Sequence, residues 1–455
     1  MHYNSYDEMR LNIFDQATNG TTRYLNPRDI VIPQGYTIEV FAERLNTPSS
    51  ILFTEDGDIF IADTGYISRN PAVYRLENGR IEVVADQFNV PLTGINYRDG
   101  KIYVSHKGAI TVIYRDGERQ DIITGLPSNG DYSNSRVAFG QDNKMYFGQG
   151  TTTNSGVVGL DNLWVTERPF LHDFPGSYIM LNGQNFETVN MLLSETDEIT
   201  FTGAFSPYGV PNQPYETRKG IVRASGSILR SKLNGEDLEL VAWGLRSPSY
   251  LKFDAGNRLF ASNNGCDLRG SRPIANAPDE FQIIMPGMWY GWPDYVGGEP
   301  VTLTRFKPDG GRQPEFLLTN HPNIPPRPFA VFPPDSTIIG FDFNPYRSFG
   351  QVGDVYIAEF GIIRPFTYGS LEPQFTGIGH RVSKIDINTG GVTTFAINRS
   401  GFSSTLTREG GFGRPSDVAF GPDGALYIVD MGISSLDDPN SFLPNSGVIW
   451  KIIKN

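Results

Sequence analysis

The stretch PSDVAFGPDGALYIVD at residues 415–430 decides the fold, because its pattern returns along the whole chain. Each copy begins with a small residue or Pro, continues as an apolar strand, turns at a short polar or Gly-containing tip and ends in a second strand. Asp-Gly, Asp-Asn and Gly-Asn tips tolerate positive φ and close tight hairpins, and alternating apolar flanks are typical of half-buried strands. The other copies are PSSILFTEDGDIFIAD (48–63), PLTGINYRDGKIYVS (91–105), SNSRVAFGQDNKMYF (133–147), PSYLKFDAGNRLFAS (248–262) and the degenerate IIGFDFNPYRSFGQVGDVYIA (338–358).

Further strands follow most copies, for example AVYRLENGRIEVVA (72–85). Six units of four antiparallel strands predict an all-β protein, a six-bladed β-propeller. The last unit is one strand short, and YTIEVFAERL (36–45) has no unit of its own, so we expect this N-terminal strand to close the last blade. The predicted propeller spans 36–455 after an N-terminal extension at 1–35, with long insertions at about 151–220 and 264–330.

Composition and charge narrow the class of protein. The 455 residues include 38 Lys+Arg against 50 Asp+Glu, and the resulting net charge of −12 argues against nucleic acid as the main partner. No apolar stretch approaches the roughly 18 residues of a membrane span. The single Cys266 excludes an intrachain disulfide. Residues 1–8 lack the features of a signal peptide, which predicts a cytoplasmic protein or an exported one whose leader was removed.

Polar residues gather in the loops that lead into the first strand of each blade. We call these the lead-in loops; in a propeller they lie at one face, together with the loops that follow the second strands. They offer Asp131, Tyr132, Arg136, Arg246 and Arg414. The three arginines come from three blades and are expected to converge on one anionic ligand, because the guanidinium fork suits carboxylates. The alternative for each arginine is a salt-bridged clamp of its own loop.

Two segments carry a resemblance to a known family. GLRSPSYLKFDAGNRLFASNNG (244–265) and PDEFQIIMPGMWYGWPDYVGG (278–298) resemble the glucose/sorbosone dehydrogenase family, six-bladed quinoproteins that are also called PQQ-dependent soluble aldose dehydrogenases. LPSNGDYSNSRVAFGQDNKMYFGQG (126–150) and GRPSDVAFGPDG (413–424) are similar to two further blades of the family, so the likeness covers roughly 35–455. It implies hydride transfer from C1 of an aldose to pyrroloquinoline quinone (PQQ) held with Ca²⁺, and therefore a sugar-like small molecule as substrate.

The resemblance assigns roles to individual positions. Arg246 matches the Arg beside the reacting quinone carbonyl, and Arg414 matches an Arg that holds a cofactor carboxylate. Gly265 and Cys266 match the two residues whose backbone carbonyls ligate Ca²⁺. Arg136 and Arg381 complete the expected cofactor-binding set; Arg381 and His380 stand where the family has a Lys.

The catalytic position departs from the family pattern. Where the family has Asp-His, this chain has Asp131-Tyr132, and a tyrosine with its ordinary pKa near 10 is a poor base at neutral pH. Tyr132 would act only if neighbours such as Arg136 or Arg246 depressed its pKa. His106, from the second blade, is another candidate for the same face. The sequence predicts a quinoprotein-like oxidoreductase whose catalytic group is Tyr132 with Asp131 and Arg246.

Two other functions remain open from the sequence. A propeller that has lost its base would act as a ligand-binding protein. A calcium-dependent lactonase would hold Ca²⁺ through side-chain oxygens, for which the candidates are Asp63, Asn96, Asn263, Glu359 and Asp417.

Overall fold

Six antiparallel sheets form a ring of blades, as the sequence predicts. The computed structural model describes residues 23–455 apart from 78–79, 194–197, 370–373, 437 and 439–440. From inner to outer strand the blades are: blade 1, Pro48–Phe53, Ile59–Asp63, Ala72–Glu77 and Arg80–Asp86; blade 2, Leu92–Arg98, Lys101–His106, Ala109–Ile113 and Arg119–Ile123; blade 3, Ala138–Phe139, Lys144–Gln149, Ser227–Lys232 and Glu239–Trp243; blade 4, Ser247–Phe253, Leu259–Asn264, Asp279–Ile284 and Ala330–Phe332; blade 5, Ile338–Phe343, Val355–Glu359, Arg381–Ile385 and Val392–Asn398; blade 6, Pro415–Phe420, Leu426–Asp430, Gly447–Lys454 and Tyr36–Leu45.

The ring closes in blade 6. Its outer strand is Tyr36–Leu45, which pairs antiparallel with the C-terminal strand Gly447–Lys454. This confirms the predicted closure by the N-terminal strand. Without this pairing, Gly447–Lys454 would be the exposed outer edge of a three-stranded blade.

Two features differ from the predicted domain organisation. The interval 264–330 is divided by a blade strand, Asp279–Ile284, so it forms two excursions instead of one; no hairpin tip precedes this strand to reveal it in the sequence. The N-terminal extension contributes Ile30–Val31 as a fifth strand, which covers the outer edge of blade 5. The first excursion joins two strands of blade 3 and contains two short ribbons, whose strands are Ile179–Met180 with Thr217–Arg218 and Asn185–Val189 with Ile199–Gly203.

The remaining elements are short. A third ribbon pairs Tyr295–Val296 with Glu299–Pro300 in the loops of blade 4. The helices are the 3₁₀ turns Pro27–Asp29, Leu163–Thr166 and Thr304–Phe306 and the α-helical turn Ser404–Thr407. Among the described residues, none of these helices has the length and apolar character that a membrane span requires.

The hydrophobic core lies between neighbouring blades. Trp450 of blade 6 is fully buried in one cluster with Tyr356 and Ala396 of blade 5. On its other side, blade 6 packs Val429 against Ile51 of blade 1. Each sheet therefore buries both faces, and the blades support one another around the ring.

A buried ion pair crosses the centre of the ring. Arg136 Nη1, at the start of blade 3, lies 3.1 Å from Asp417 Oδ2, on the inner strand of the opposite blade 6. The Arg136 guanidinium also stacks on the ring of Tyr250 from blade 4, 4.8 Å from its centroid. Arg136 is thus a salt-bridged structural clamp, although its partner lies across the channel and not in its own loop.

Replacing Arg136 with Met is expected to destabilise the fold by about 3–5 kcal/mol near pH 8, because the Asp417 carboxylate then stays buried without a counter-ion. Burial already raises the pKa of Asp417 to about 6 in the folded protein. Arg136 opposes this rise, so its removal raises the folded-state pKa of Asp417 further. The variant therefore takes up its proton at a higher pH than the wild type, and the deficit should shrink as the pH falls from 8 towards about 6. Denaturant unfolding of both proteins at pH 8 and at about pH 6 measures this difference in the free energy of unfolding.

Arg115→Met is the matched control. Arg115 Nη2 lies 3.2 Å from Asp56 Oδ2, and both side chains are exposed, so its loss should change the free energy of unfolding far less than Arg136→Met at either pH. Equal deficits for the two variants, or a pH-independent deficit for Arg136→Met, would contradict the role of the central pair.

Candidate active site

A cavity of about 390 Å³ opens at the face where the lead-in loops gather. Its lining comes from blades 3, 4, 5 and 6. Five of the residues that the sequence singled out lie there together: Tyr132, Arg246, Gly265, Cys266 and Arg414. The expected grouping of lead-in loops at one face therefore brings most of the candidate residues to one place.

Three candidate residues lie outside the cavity lining. Arg136 is engaged in the channel with Asp417, so the three arginines do not converge on one ligand. Arg381 donates to the carbonyls of Gly377 and Gly379, and its Nε lies 3.8 Å from Glu359 Oε2. Asp131 accepts a hydrogen bond from Arg269, which in turn contacts the Tyr132 hydroxyl of the lining.

Arg246 is held by three residues, Asp267, Asn154 and Tyr132. Its Nη2 donates to Asp267 Oδ2 at 2.6 Å, to Asn154 Oδ1 at 2.9 Å and to the Tyr132 hydroxyl, while Nε donates to the Asn154 carbonyl at 3.2 Å. The guanidinium lies 4.4 Å from the centroid of the Tyr132 ring. Nη1 makes no hydrogen bond to a residue that the structure describes. A rigid guanidinium with one remaining donor is well placed to bind a ligand oxygen.

Arg269 links the acidic residues behind Arg246. It donates to Asp267 Oδ2 at 2.9 Å, Asp161 Oδ2 at 2.5 Å and Asp131 Oδ2 at 2.7 Å. Asp131 also accepts from the Trp164 indole at 2.8 Å. Asp131 is therefore an anchor for Arg269 and has no contact with the cavity itself.

The Tyr132 hydroxyl is protonated at neutral pH. Burial raises the pKa of Tyr132 above its ordinary value of 10, and the nearby Arg246 and Arg269 only partly oppose this. The phenol interacts with Arg246, Arg269 at 2.9 Å and Asp267 at 3.3 Å. The depressed pKa that Tyr132 would need as a base is absent, because desolvation outweighs the two guanidinium charges.

Neither His106 nor His380 takes the place of Tyr132. His106 is buried in blade 2, where Nδ1 accepts from the Asn89 amide at 3.1 Å and Nε2 lies 2.8 Å from Thr111 Oγ1. Nδ1 of His380 lies 3.2 Å from the Gly413 carbonyl, and burial lowers the pKa of His380 to about 3. Neither ring lines the cavity.

The opposite side of the cavity carries two further arginines and aromatic rings. Arg414 lies over the Phe360 ring at 4.7 Å and donates to the Gly361 carbonyl at 3.1 Å; burial lowers the pKa of Arg414 to about 10, which still leaves it charged at neutral pH. Arg364 is exposed and forms no ion pair with a described residue. Phe360 and Phe366 supply apolar surface beside these charges.

Gly265 and Cys266, whose backbone carbonyls are the expected Ca²⁺ ligands, both belong to the cavity lining. Within the described part of the chain, neither carbonyl accepts a hydrogen bond. The Gly265 amide is held by Asp279 Oδ1 at 2.8 Å, which fixes the loop. Burial raises the pKa of the Cys266 thiol to about 11, so this side chain is an unreactive filler.

The cavity lining contains three carboxyl groups, those of Asp267, Asp279 and Asp335. It also contains three arginines, Arg246, Arg364 and Arg414. Burial alone would raise the pKa of Asp267, yet Arg246 and Arg269 hold it below its ordinary value. Burial raises the pKa of Asp279 to about 7 and that of Asp335 to about 6. The cavity is therefore of mixed charge and not simply cationic.

The oxygens proposed for a lactonase calcium site have other partners. Asn263 Oδ1 accepts from the amides of Arg246 and Ser247, both at 3.0 Å, and Asp63 Oδ1 accepts from the Gly65 amide at 2.7 Å. Asp417 pairs with Arg136. Over the described residues, no group of three or more His, Cys, Asp or Glu side chains could hold a metal ion.

Comparison with known proteins finds similarity to several sugar dehydrogenases. No protein-family model matches the chain. Quinoprotein glucose dehydrogenase B of Acinetobacter calcoaceticus is 24% identical over 179 residues, 39% of this chain; the match spans only 29% of that relative's length. The PQQ-bound aldose sugar dehydrogenase of Streptomyces coelicolor is 16% identical, with a TM-score of 0.51 over 93% of this chain and 99% of that one. The soluble aldose sugar dehydrogenase of Escherichia coli, in its apo form, is 15% identical, with a TM-score of 0.54 over 92% and 100%.

The comparisons confirm the resemblance to the glucose/sorbosone dehydrogenase family that the sequence indicates. At identities below 25% the structural likeness establishes the propeller fold. The roles of individual residues in this chain follow from its own geometry.

Tyr132→Phe should leave the pH titration of the folded protein unchanged up to about pH 10, because the removed phenol is neutral over that range. The ultraviolet phenolate absorbance of the wild-type protein minus that of the variant measures the titration of this one group. Tyr114→Phe, a tyrosine of the outer part of blade 2, is the control. A phenolate step near pH 7–8 that disappears in Tyr132→Phe alone would restore Tyr132 as a base.

Proposed function

We propose that the protein is a quinoprotein-type oxidoreductase that uses PQQ and Ca²⁺ to oxidise the C1 hydroxyl of an aldose or related sugar. The observation that carries this proposal is the convergence of Arg246, Arg414, Gly265 and Cys266 on one cavity. The resemblance gives each of these four positions a cofactor role. A cavity of about 390 Å³ is within the usual range for cofactor sites.

The donors present fit a flat anion that carries carboxylates. Arg246 offers Nη1, which has no other described partner, and its charge is largely balanced by Asp267. Arg364 and Arg414 add positive charge at the opposite side, next to the apolar faces of Phe360 and Phe366. When bound, PQQ supplies the two-electron acceptor for the hydride of C1.

The two carbonyls fit a hard cation. Ca²⁺ takes about six to eight oxygen ligands, including backbone carbonyls, and those of Gly265 and Cys266 are without a described hydrogen-bond donor. They would supply part of the ligand set. A bound cation would also place positive charge near Asp267, which follows Cys266 in the chain, and this favours the ionised form of Asp267.

The protein residues orient and polarise the reactants. The contacts of Arg246 with Asn154, Asp267 and Tyr132 fix its guanidinium before any ligand arrives, so no reorganisation is needed when charge develops on a bound oxygen. The neutral phenol of Tyr132 supports this arrangement as a positioning group. The aromatic and aliphatic lining limits the access of water to the reacting atoms.

A second candidate function is ligand binding without turnover. The neutral Tyr132 phenol at the position where the family has His favours it. Quinone binding and sugar oxidation must therefore be measured separately.

PQQ titration of the protein, with and without Ca²⁺, is expected to show saturable binding that Arg364→Met weakens by about tenfold or more, since a charge-assisted contact contributes about 1.4 kcal/mol or more. Arg347→Met, an exposed arginine in the hairpin of blade 5, is the matched control and should bind PQQ normally. Dye reduction with a panel of aldoses then measures turnover.

Absence of PQQ binding under all conditions would sink the proposed function. Binding without turnover on any sugar would support the ligand-binding alternative. Hydrolysis of lactones that needs Ca²⁺ but no quinone would support the lactonase instead.

A further inference from the structure

Asp335 presents a carboxylate at the cavity that no described residue engages. It lies in the lead-in loop of blade 5, just before the inner strand Ile338–Phe343, and lines the cavity together with Tyr132 and Arg246. Within the described structure, its side chain makes no hydrogen bond and no ion pair. The side chain is half-buried, so it is partly accessible to solvent.

The other polar groups that face Asp335 are committed or unable to accept a proton. Asp267 is paired with Arg246 and Arg269, and Asp279 accepts from the amides of Gly265 and Ile338. Tyr132 and Cys266 are protonated at neutral pH, because burial raises the pKa of each. The remaining charged groups of the lining are cations: Arg246, Arg364 and Arg414.

The backbone holds Asp335 in a fixed and unusual conformation. Its φ is 68°, and Thr337, two residues later, has φ 50°, a left-handed value that is rare for a β-branched residue. Backbone hydrogen bonds tie the loop to the neighbouring cavity wall, from Phe360 N to Thr337 O at 3.0 Å and from Gly361 N to Ser336 O at 2.9 Å. Strain of this kind persists where surrounding structure enforces it, often at functional sites.

The electrostatic setting suits a proton acceptor. Burial raises the pKa of Asp335 to about 6; the Asp267 charge raises it as well, and Arg246 lowers it. A carboxylate with a pKa near 6 is mostly ionised at neutral pH, yet it is more basic than an ordinary surface aspartate. General bases are most effective when their pKa lies near the working pH.

We propose that Asp335 is the general base of this cavity, in place of the histidine that Tyr132 replaces. The assignment rests on the proposed function. In the step, the O–H bond at C1 of the sugar breaks and its proton moves to a carboxylate oxygen of Asp335. The C1–H bond breaks at the same carbon, its hydrogen and electron pair leave to the PQQ oxidant, and the C1–O bond becomes a carbonyl. The sugar loses two electrons and the quinone gains them.

Asp335→Asn is the decisive variant. We expect sugar oxidation to fall by about 10²–10⁴-fold, the usual contribution of general-base catalysis, while PQQ binding is retained or becomes tighter because a negative charge has left the cavity. The acidic limb of the wild-type kcat/KM profile, expected near pH 6, should be missing from the residual activity. Asp335→Glu should restore part of the rate together with the acidic limb.

Asp56→Asn is the matched control, because Asp56 lies at the exposed hairpin tip of blade 1 and should leave rate, pH profile and PQQ binding unchanged. Thermal unfolding of each variant verifies that it is folded. An Asp335→Asn protein that keeps its rate and acidic limb would overturn the assignment and leave the quinoprotein function intact. Loss of PQQ binding together with the rate would also overturn it, since Asp335 would then act on the cofactor site. Failure of the wild-type protein to bind PQQ would instead remove the proposed function itself.

Discussion

The ion pair between Arg136 and Asp417 is the constraint on which the rest of the structure depends. It joins opposite blades through the channel, and glycines on the flanking blades make room for it: a Cβ at Gly94 would lie 2.9 Å from the Arg136 Cβ, and one at Gly340 would lie 2.2 Å from Asp417 Oδ1. Each partner is only a few residues from a cavity residue, Tyr132 on one side and Arg414 on the other. The pair therefore ties together the two strands that follow Tyr132 and Arg414 in the chain, on opposite sides of the ring.

The sequence predicted the architecture well because the propeller repeats a local signal. The tip residues that identify each hairpin do adopt the left-handed backbone they favour, as at Asn143 and Asn257, and the closure strand was evident from the unpaired segment at 36–45. The long interval at 264–330 was predicted less well. Its blade strand, Asp279–Ile284, follows a loop with no turn signal, so periodicity alone did not distinguish it from the surrounding excursions.

The site was predicted in part, and the residues that were missed lie where the repeat pattern is weak or absent. Tyr132, Arg246 and Arg414 directly precede recognisable strands, so their placement at one face could be inferred. Asn154 and Arg269 lie in the excursions, where no periodicity assigns a position. Asp335 precedes the degenerate copy, which concealed its lead-in loop. Charge was also misleading: Arg136 and Arg246 resemble free cations in the sequence, but each meets an aspartate that is remote along the chain, Asp417 for one and Asp267 for the other.

Blade 6 combines an N-terminal strand with three C-terminal strands, and this has a consequence for how the protein is made. Its outer strand, Tyr36–Leu45, is synthesised early, whereas the other three strands of the sheet come from the C-terminal end of the described chain. During translation the early strand has no partner, and the apolar faces of blades 1 and 5 that blade 6 covers stay exposed. The ring can close only after the last strand leaves the ribosome, which makes this blade the step where a nascent chain is most open to misassembly and to chaperone binding.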